Sequence, residues 1–319
     1  MELLADILLS YEVGINLLLE LILFLLLSIA AFKTIFILKN FRVDAATSLQ
    51  YSLEKSSYLV ITIIQFTLII KMILLPFFTF TLNALSNIIP GAMCGAGVIS
   101  ANIYGEPLLV LKIFIVIATM LWLTLNAADL HSKDFKFFKK KMYFSLLLYL
   151  FISIEALLEL LFFTELTTVN PVSCCSSLYS SEDSNPLPFN ISMLTLIVSF
   201  YTTYTAIILS SFFRKKHLVA SLSILYLYIA YLSIVYFFST YIYQLPTHKC
   251  PYCLLQADYY YIGYFIYSSL IIATFYALKG SLFAPTKNTH MLITIWYTLS
   301  IFFISINFIL YLIINQTFL

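Results

Sequence analysis

VGINLLLELILFLLLSIAAFKTIFIL, Val13 to Leu38, carries two charged side chains, Glu20 and Lys33, in a run built otherwise mainly of Leu, Ile, Phe and Ala. About 20 helical residues suffice to cross a hydrocarbon core roughly 30 Å thick. Seven further runs share this character: Tyr58 to Leu82, Leu108 to Leu130, Tyr143 to Leu166, Ile191 to Phe213, Val219 to Tyr243, Tyr261 to Gly280 and Leu292 to Ile314. They predict an all-α polytopic membrane protein, residues 1–319 forming a single integral domain of eight transmembrane helices. A barrel is excluded, because its strands are short and alternate in polarity. The first run is too long for a signal-peptide core, and no small-residue cleavage pattern follows before Lys33, so an uncleaved first helix is expected.

Composition supports this reading. Hydrophobic residues make up 62% of the chain and charged residues 10%, with a mean hydropathy of +0.98. A soluble domain needs more surface charge than that. Basic residues concentrate in alternate loops: Lys39, Arg42 and Lys55; Lys133, Lys136, Lys139, Lys140 and Lys141; Arg214, Lys215 and Lys216; then Lys279 and Lys287. The intervening loops hold only Lys249. The positive-inside rule places the basic loops in the cytoplasm and both termini outside. The net charge of +2 gives no reason to invoke nucleic acid. The expected partner is the lipid bilayer, and the expected location a bacterial inner membrane.

All five cysteines fall in the other loops: Cys94, the adjacent Cys174 and Cys175, and Cys250-Pro-Tyr-Cys253. The topology therefore predicts one extracytoplasmic sulfur cluster. Cys94 lies in Asn83 to Pro107, which holds Gly91, Gly95, Gly97 and Gly105 of the chain's seven glycines, so a tight turn packed on other structure is expected. Cys174 and Cys175 lie in a Ser-, Asn- and Pro-rich loop, and a bond between neighbours closes a strained ring, so each is expected to pair elsewhere or both to hold one soft ion. Proline is favoured at the first helical position. Cys250 is accordingly expected to cap a helix N-terminus, where the thiolate is favoured, with His248 and Lys249 adding positive charge.

The heptapeptide Cys250-Pro-Tyr-Cys-Leu-Leu-Gln256 at an outer membrane boundary resembles the helix-leading cysteine pair of bacterial disulfide-bond-forming membrane proteins (DsbB-like) and their vitamin K epoxide reductase relatives. The resemblance implies a membrane thiol-disulfide oxidoreductase. By it, Cys250 and Cys253 pass electrons to a quinone beside Gln256, Tyr259 and Tyr260, with Tyr261 adjacent, although the same tyrosine run also fits an ordinary interfacial aromatic belt. The same resemblance implies that Cys174 and Cys175 play the shuttle part, exchanging with an extracytoplasmic thioredoxin-fold partner. The chain departs from that pattern in having twice the helices, a vicinal shuttle pair, Cys94 as a fifth cysteine, and no Arg after Gln256.

Two other readings use the same cysteines. Polarizable sulfur from Cys94, Cys174, Cys175, Cys250 and Cys253, with Met93 and His248, suits Cu(I), giving copper binding, delivery or transport with a copper-binding partner. Alternatively the cysteines form structural disulfides in a non-enzymatic transport or assembly factor. Haem is not expected, since of the four histidines only His248 faces outward and Leu254 follows the Cys-Pro-Tyr-Cys motif where c-type attachment needs His.

Within the membrane, Lys71 and Glu155 fall near mid-span, Glu159 one turn further on the same face, and Glu20 at comparable depth. Each such charge costs roughly 2.5 to 3.5 kcal/mol on insertion scales and is expected to face the bundle, Lys71 pairing with Glu155. Such a pair serves either a proton or cation path linked to the cysteine site, or the register of packing.

Overall fold

The computed structural model describes residues 7–8, 10–41, 47–130, 137–168, 171–172, 187, 191–246, 248–282 and 287–318. Arg42, Lys133, Lys136, Cys174 and Cys175 lie outside the described residues. Among the described residues, eight helices are long and apolar enough to cross a membrane. They are α1 (Tyr11–Asn40), α2 (Ser48–Leu85), α3 (Gly105–Leu130), α4 (Phe138–Glu165), α5 (Met193–Phe212), α6 (Lys216–Tyr243), α7 (Ile262–Leu282) and α8 (Lys287–Asn315). The protein is an all-helical, multi-pass integral membrane protein.

Each apolar run falls on one helix. The largest difference is at α2, which starts at Ser48, ten residues before the apolar run, because Ser, Gln, Glu and Lys continue a helix beyond the point where hydropathy ends. Pro76 sits inside α2, which runs through it to Leu85. In α6 the five residues Ile234–Phe238 form a π-helical segment.

Lipid-exposed helices reverse the soluble pattern. On α1, Leu18, Leu21, Leu25, Ile29 and Phe32 are exposed, whereas Asn16, Glu20 and Thr34 are buried together with Leu23 and Leu27. Apolar residues face outward because the bilayer solvates them, and polar ones turn inward to find partners.

The chain divides into two compact units. The first comprises Met1–Ala84 and Ile99–Asn170, thus α1 to α4. Its apolar core joins Leu27, Ile64, Leu68, Ile115, Trp122 and Ile152, and the Trp122 indole donates to the Lys141 carbonyl at 3.0 Å. The second comprises Leu85–Val98 and Pro171–Leu319. There α7 packs on α6 and α8, and α5 on α6. Aromatic contacts link Phe200 with Tyr226 and Phe238, and Phe308 with Phe237 and Tyr241.

Candidate functional site

The second unit assembles the cysteine site from two loops. After α2 the chain turns through Pro90 and Gly91 and enters a short helical turn, Gly95–Ile99. Gly91 has φ +84, and a Cβ there would collide with the Val172 carbonyl oxygen. Glycine thus lets this turn approach Val172, whose amide donates to the Pro90 carbonyl at 2.9 Å. Val172 precedes Cys174 by two positions in the chain. Cys94 enters the helical turn fully buried, its carbonyl accepting from the Gly97 amide at 3.1 Å.

The second loop follows α6, which ends at Gln244 in the left-handed conformation (φ 54). Cys250-Pro-Tyr leads into a 3-10 turn, Cys253–Leu255, capped by Tyr252. Cys250 is therefore not a helix N-cap as expected. The proline extends a turn here, and α7 begins only at Ile262, after a second 3-10 turn at Ala257–Tyr259. Tyr260 and Tyr261 make the final link in left-handed conformation, with φ 53 and 55.

These loops bring Cys94 Sγ to 3.3 Å from Cys250 Sγ, a non-bonded contact. The sulfurs of Cys94, Cys250 and Cys253 all lie within 4.8 Å of one another. Exposure is 0%, 0% and 5% respectively. Gln256 Nε2 donates to the Met93 carbonyl at 3.3 Å, tying one loop to the other. Tyr243 donates to the Cys250 carbonyl, and Tyr267 to that of Pro251 at 2.8 Å. Sequence reasoning passed over both tyrosines; among 24 tyrosines nothing in the one-dimensional pattern singles them out.

The remaining predicted site residues distribute unevenly. The His248 ring packs against Tyr243 at 4.5 Å between centroids, and His248 is not part of the three-residue sulfur set. Lys249 is buried, its ammonium 5.9 Å from the Tyr236 ring. Met93 is 66% exposed. Tyr259 stacks edge-on against Tyr243 at 4.5 Å. Burial, then the nearby Cys253, Asp258 and Cys250, raise its phenol above the ordinary value, so it is a hydroxyl donor at neutral pH. Tyr260 is 91% exposed, the position of an interfacial aromatic.

The first unit gathers the intramembrane charges. Lys71 Nζ lies 2.6 Å from Glu20 Oε2 and 2.5 Å from Glu155 Oε2. Lys112 Nζ lies 2.6 Å from Glu155 Oε1, 2.6 Å from Glu159 Oε2 and 3.3 Å from Glu20 Oε1. Asn16 Nδ2 donates to Glu159 Oε1 at 2.8 Å. Lys71 thus meets Glu155, but inside a five-charge cluster. Lys112 is the member sequence reasoning missed, although a lone Lys inside the run Leu108 to Leu130 was the same signal that marked Lys71.

The chain matches no protein family model, no curated protein and no solved structure.

Proposed function

We propose that Cys94, Cys250 and Cys253 form a thiol-disulfide exchange site on the extracytoplasmic side of a bacterial inner membrane, with both termini on that side. The supporting observation is the three-sulfur contact, with Cys94 Sγ 3.3 Å from Cys250 Sγ and Cys253 within 4.8 Å of both. A thiolate attacks a disulfide through a mixed-disulfide intermediate, so a third sulfur held against a pair gives each exchange a resident nucleophile. The electron balance is simple. Two thiols of a dithiol partner become a disulfide as the Cys250–Cys253 disulfide becomes two thiols; reoxidation then releases two electrons and two protons to a quinone-class acceptor, giving the quinol.

Burial of all three sulfurs favours a relay over direct attack by a bulky protein. Cys174 and Cys175 supply the natural intermediary, with a thioredoxin-fold protein as the outer partner. Gln256, Tyr259 and Tyr260 border the loop on which the acceptor would act.

One observation favours soft-metal handling as a second reading. Zinc–thiolate bonds of ~2.3 Å set ligand sulfurs roughly 4 Å apart, which the Cys94, Cys250 and Cys253 triangle accommodates, and Cu(I) takes the same donors. A single preparation separates the two. Purified protein supplied with dithiothreitol is expected to reduce a water-soluble quinone analogue, with Cys250→Ser and Cys253→Ser inactive. No turnover in the wild type, together with one copper per chain under anaerobic reducing conditions, would replace the exchange reading with the metal one.

A further inference from the structure

The proposed thiol chemistry does not call on the charge cluster of the first unit, whose stoichiometry among the described residues is unbalanced. Three carboxylates, Glu20, Glu155 and Glu159, face two ammoniums, Lys71 and Lys112. All five side chains are buried. Full ionisation would leave one negative charge uncompensated within the bundle, which is costly in so apolar a setting. A metal ion does not fit, because every one of the six carboxylate oxygens already accepts from an ammonium or from Asn16. A proton does fit. Asn16 Oδ1 is buried without a hydrogen-bond partner, and turning the amide offers that oxygen to a protonated Glu159.

We infer that the first unit conducts protons, along a buried polar column running from this cluster to the Asp129–Lys141 ion pair at the far end of α3. Lys112, Thr119 and Asn126 follow one another at heptad spacing on one face of α3. Thr67 lies one turn from Lys71 on α2. Thr67 Oγ1 and Thr119 Oγ1 are buried and without a partner. On the same two helices Thr62, Thr81 and Thr124 instead donate to a carbonyl of the preceding turn. Hydroxyls turned away from their own backbone in a closed core point to water as the intended partner. A cavity with room for one water lies beside the cluster, bordered by Lys71, Lys112 and Glu155.

Seven residues beyond Thr119 along α3, Asn126 begins a hydrogen-bonded polar group. Asn126 Nδ2 donates to Gln65 Oε1 at 3.0 Å, Lys141 Nζ donates to Asn126 Oδ1 at 3.1 Å, and Lys141 meets Asp129 at 2.6 Å. Lys112 to Asp129 is 17 residues, about 26 Å at 1.5 Å per helical residue, most of a hydrocarbon core. The Thr67 and Thr119 hydroxyls both donate and accept, so a proton passed along them and intervening waters breaks one O–H bond for each it forms, while the Asn126 and Gln65 amides orient that chain without carrying the proton. No electron moves. The proton that leaves at one end is balanced by the one taken up at the other, and direction follows the gradient.

The test is full-length protein in liposomes enclosing a pH-sensitive dye, with a potassium gradient and valinomycin providing the driving potential. The wild type is expected to carry protons several-fold faster than empty vesicles. Thr67→Val/Thr119→Val, which keeps side-chain volume and removes two unpartnered hydroxyls, is expected to fall to the empty-vesicle rate with unchanged or higher thermal stability. Thr119→Ser, which retains the hydroxyl, is expected to keep the flux. Wild-type flux no greater than that of empty vesicles, an undiminished flux in the valine variant, or loss in the serine variant as well would each overturn the inference.

Discussion

Two tyrosine hydroxyls from different helices hold the backbone around Cys250: Tyr243 from α6 donates to the Cys250 carbonyl and Tyr267 from α7 to that of Pro251. A buried hydrogen bond of this kind contributes on the order of 1 kcal/mol net. Tyr267→Phe is therefore expected to loosen the loop and raise the alkylation rate of Cys250 about fivefold, read by mass spectrometry. The charge cluster makes a contrast of sign. Lys112→Met leaves three carboxylates facing one ammonium and is expected to destabilise by ~3 to 5 kcal/mol, as when one partner of a buried pair is removed. Glu159→Gln instead leaves two of each and is expected to shift thermal unfolding in detergent far less. Equal losses in the two variants would contradict the charge imbalance. At this scale the sequence was half legible. Lys71, Glu155, Glu159 and Glu20 announce themselves as charges in apolar runs, but the tyrosines and the orphan hydroxyls become meaningful only when chain-distant helices meet.

Among elements, Gly263 at the start of α7 governs how closely the cysteine turn can lie on the helix. A Cβ there would stand 2.8 Å from Leu254 Cβ and 2.9 Å from its carbonyl oxygen. Leu254 follows Cys253 directly, so Gly263→Ala is expected to displace the turn, cost ~1 to 3 kcal/mol by overpacking, and lower dithiol-dependent turnover. Gly14→Ala is the control: its nearest neighbour would be Leu8 O at 4.0 Å, and a helix-interior alanine is expected to stabilise by up to ~1 kcal/mol. An equal loss of turnover in both variants would remove the packing argument. The helices themselves were readable because hydrophobic length is a one-dimensional property. The turn at Cys250 was not: proline after a cysteine suits a helix start and a tight turn equally, and the choice fell to tertiary contacts with Tyr243, Tyr267 and Leu254.

Across the whole molecule the two candidate sites sit in different units, the ion cluster within α1 to α4 and the sulfurs within the second unit. Alternation of basic loops is also a one-dimensional signal and predicts the cysteines on one side of the membrane, and of them the described Cys94, Cys250 and Cys253 come together. It could not specify that Cys94 would meet Cys250 or that His248 would turn to Tyr243. Disulfide exchange among Cys94, Cys250 and Cys253 is read by poising a Cys174→Ser/Cys175→Ser variant in glutathione buffers and counting alkylated thiols by mass. Two of the three thiols are expected to be lost and regained together across the poise while the third stays alkylatable. Three thiols alkylatable at every poise would contradict it.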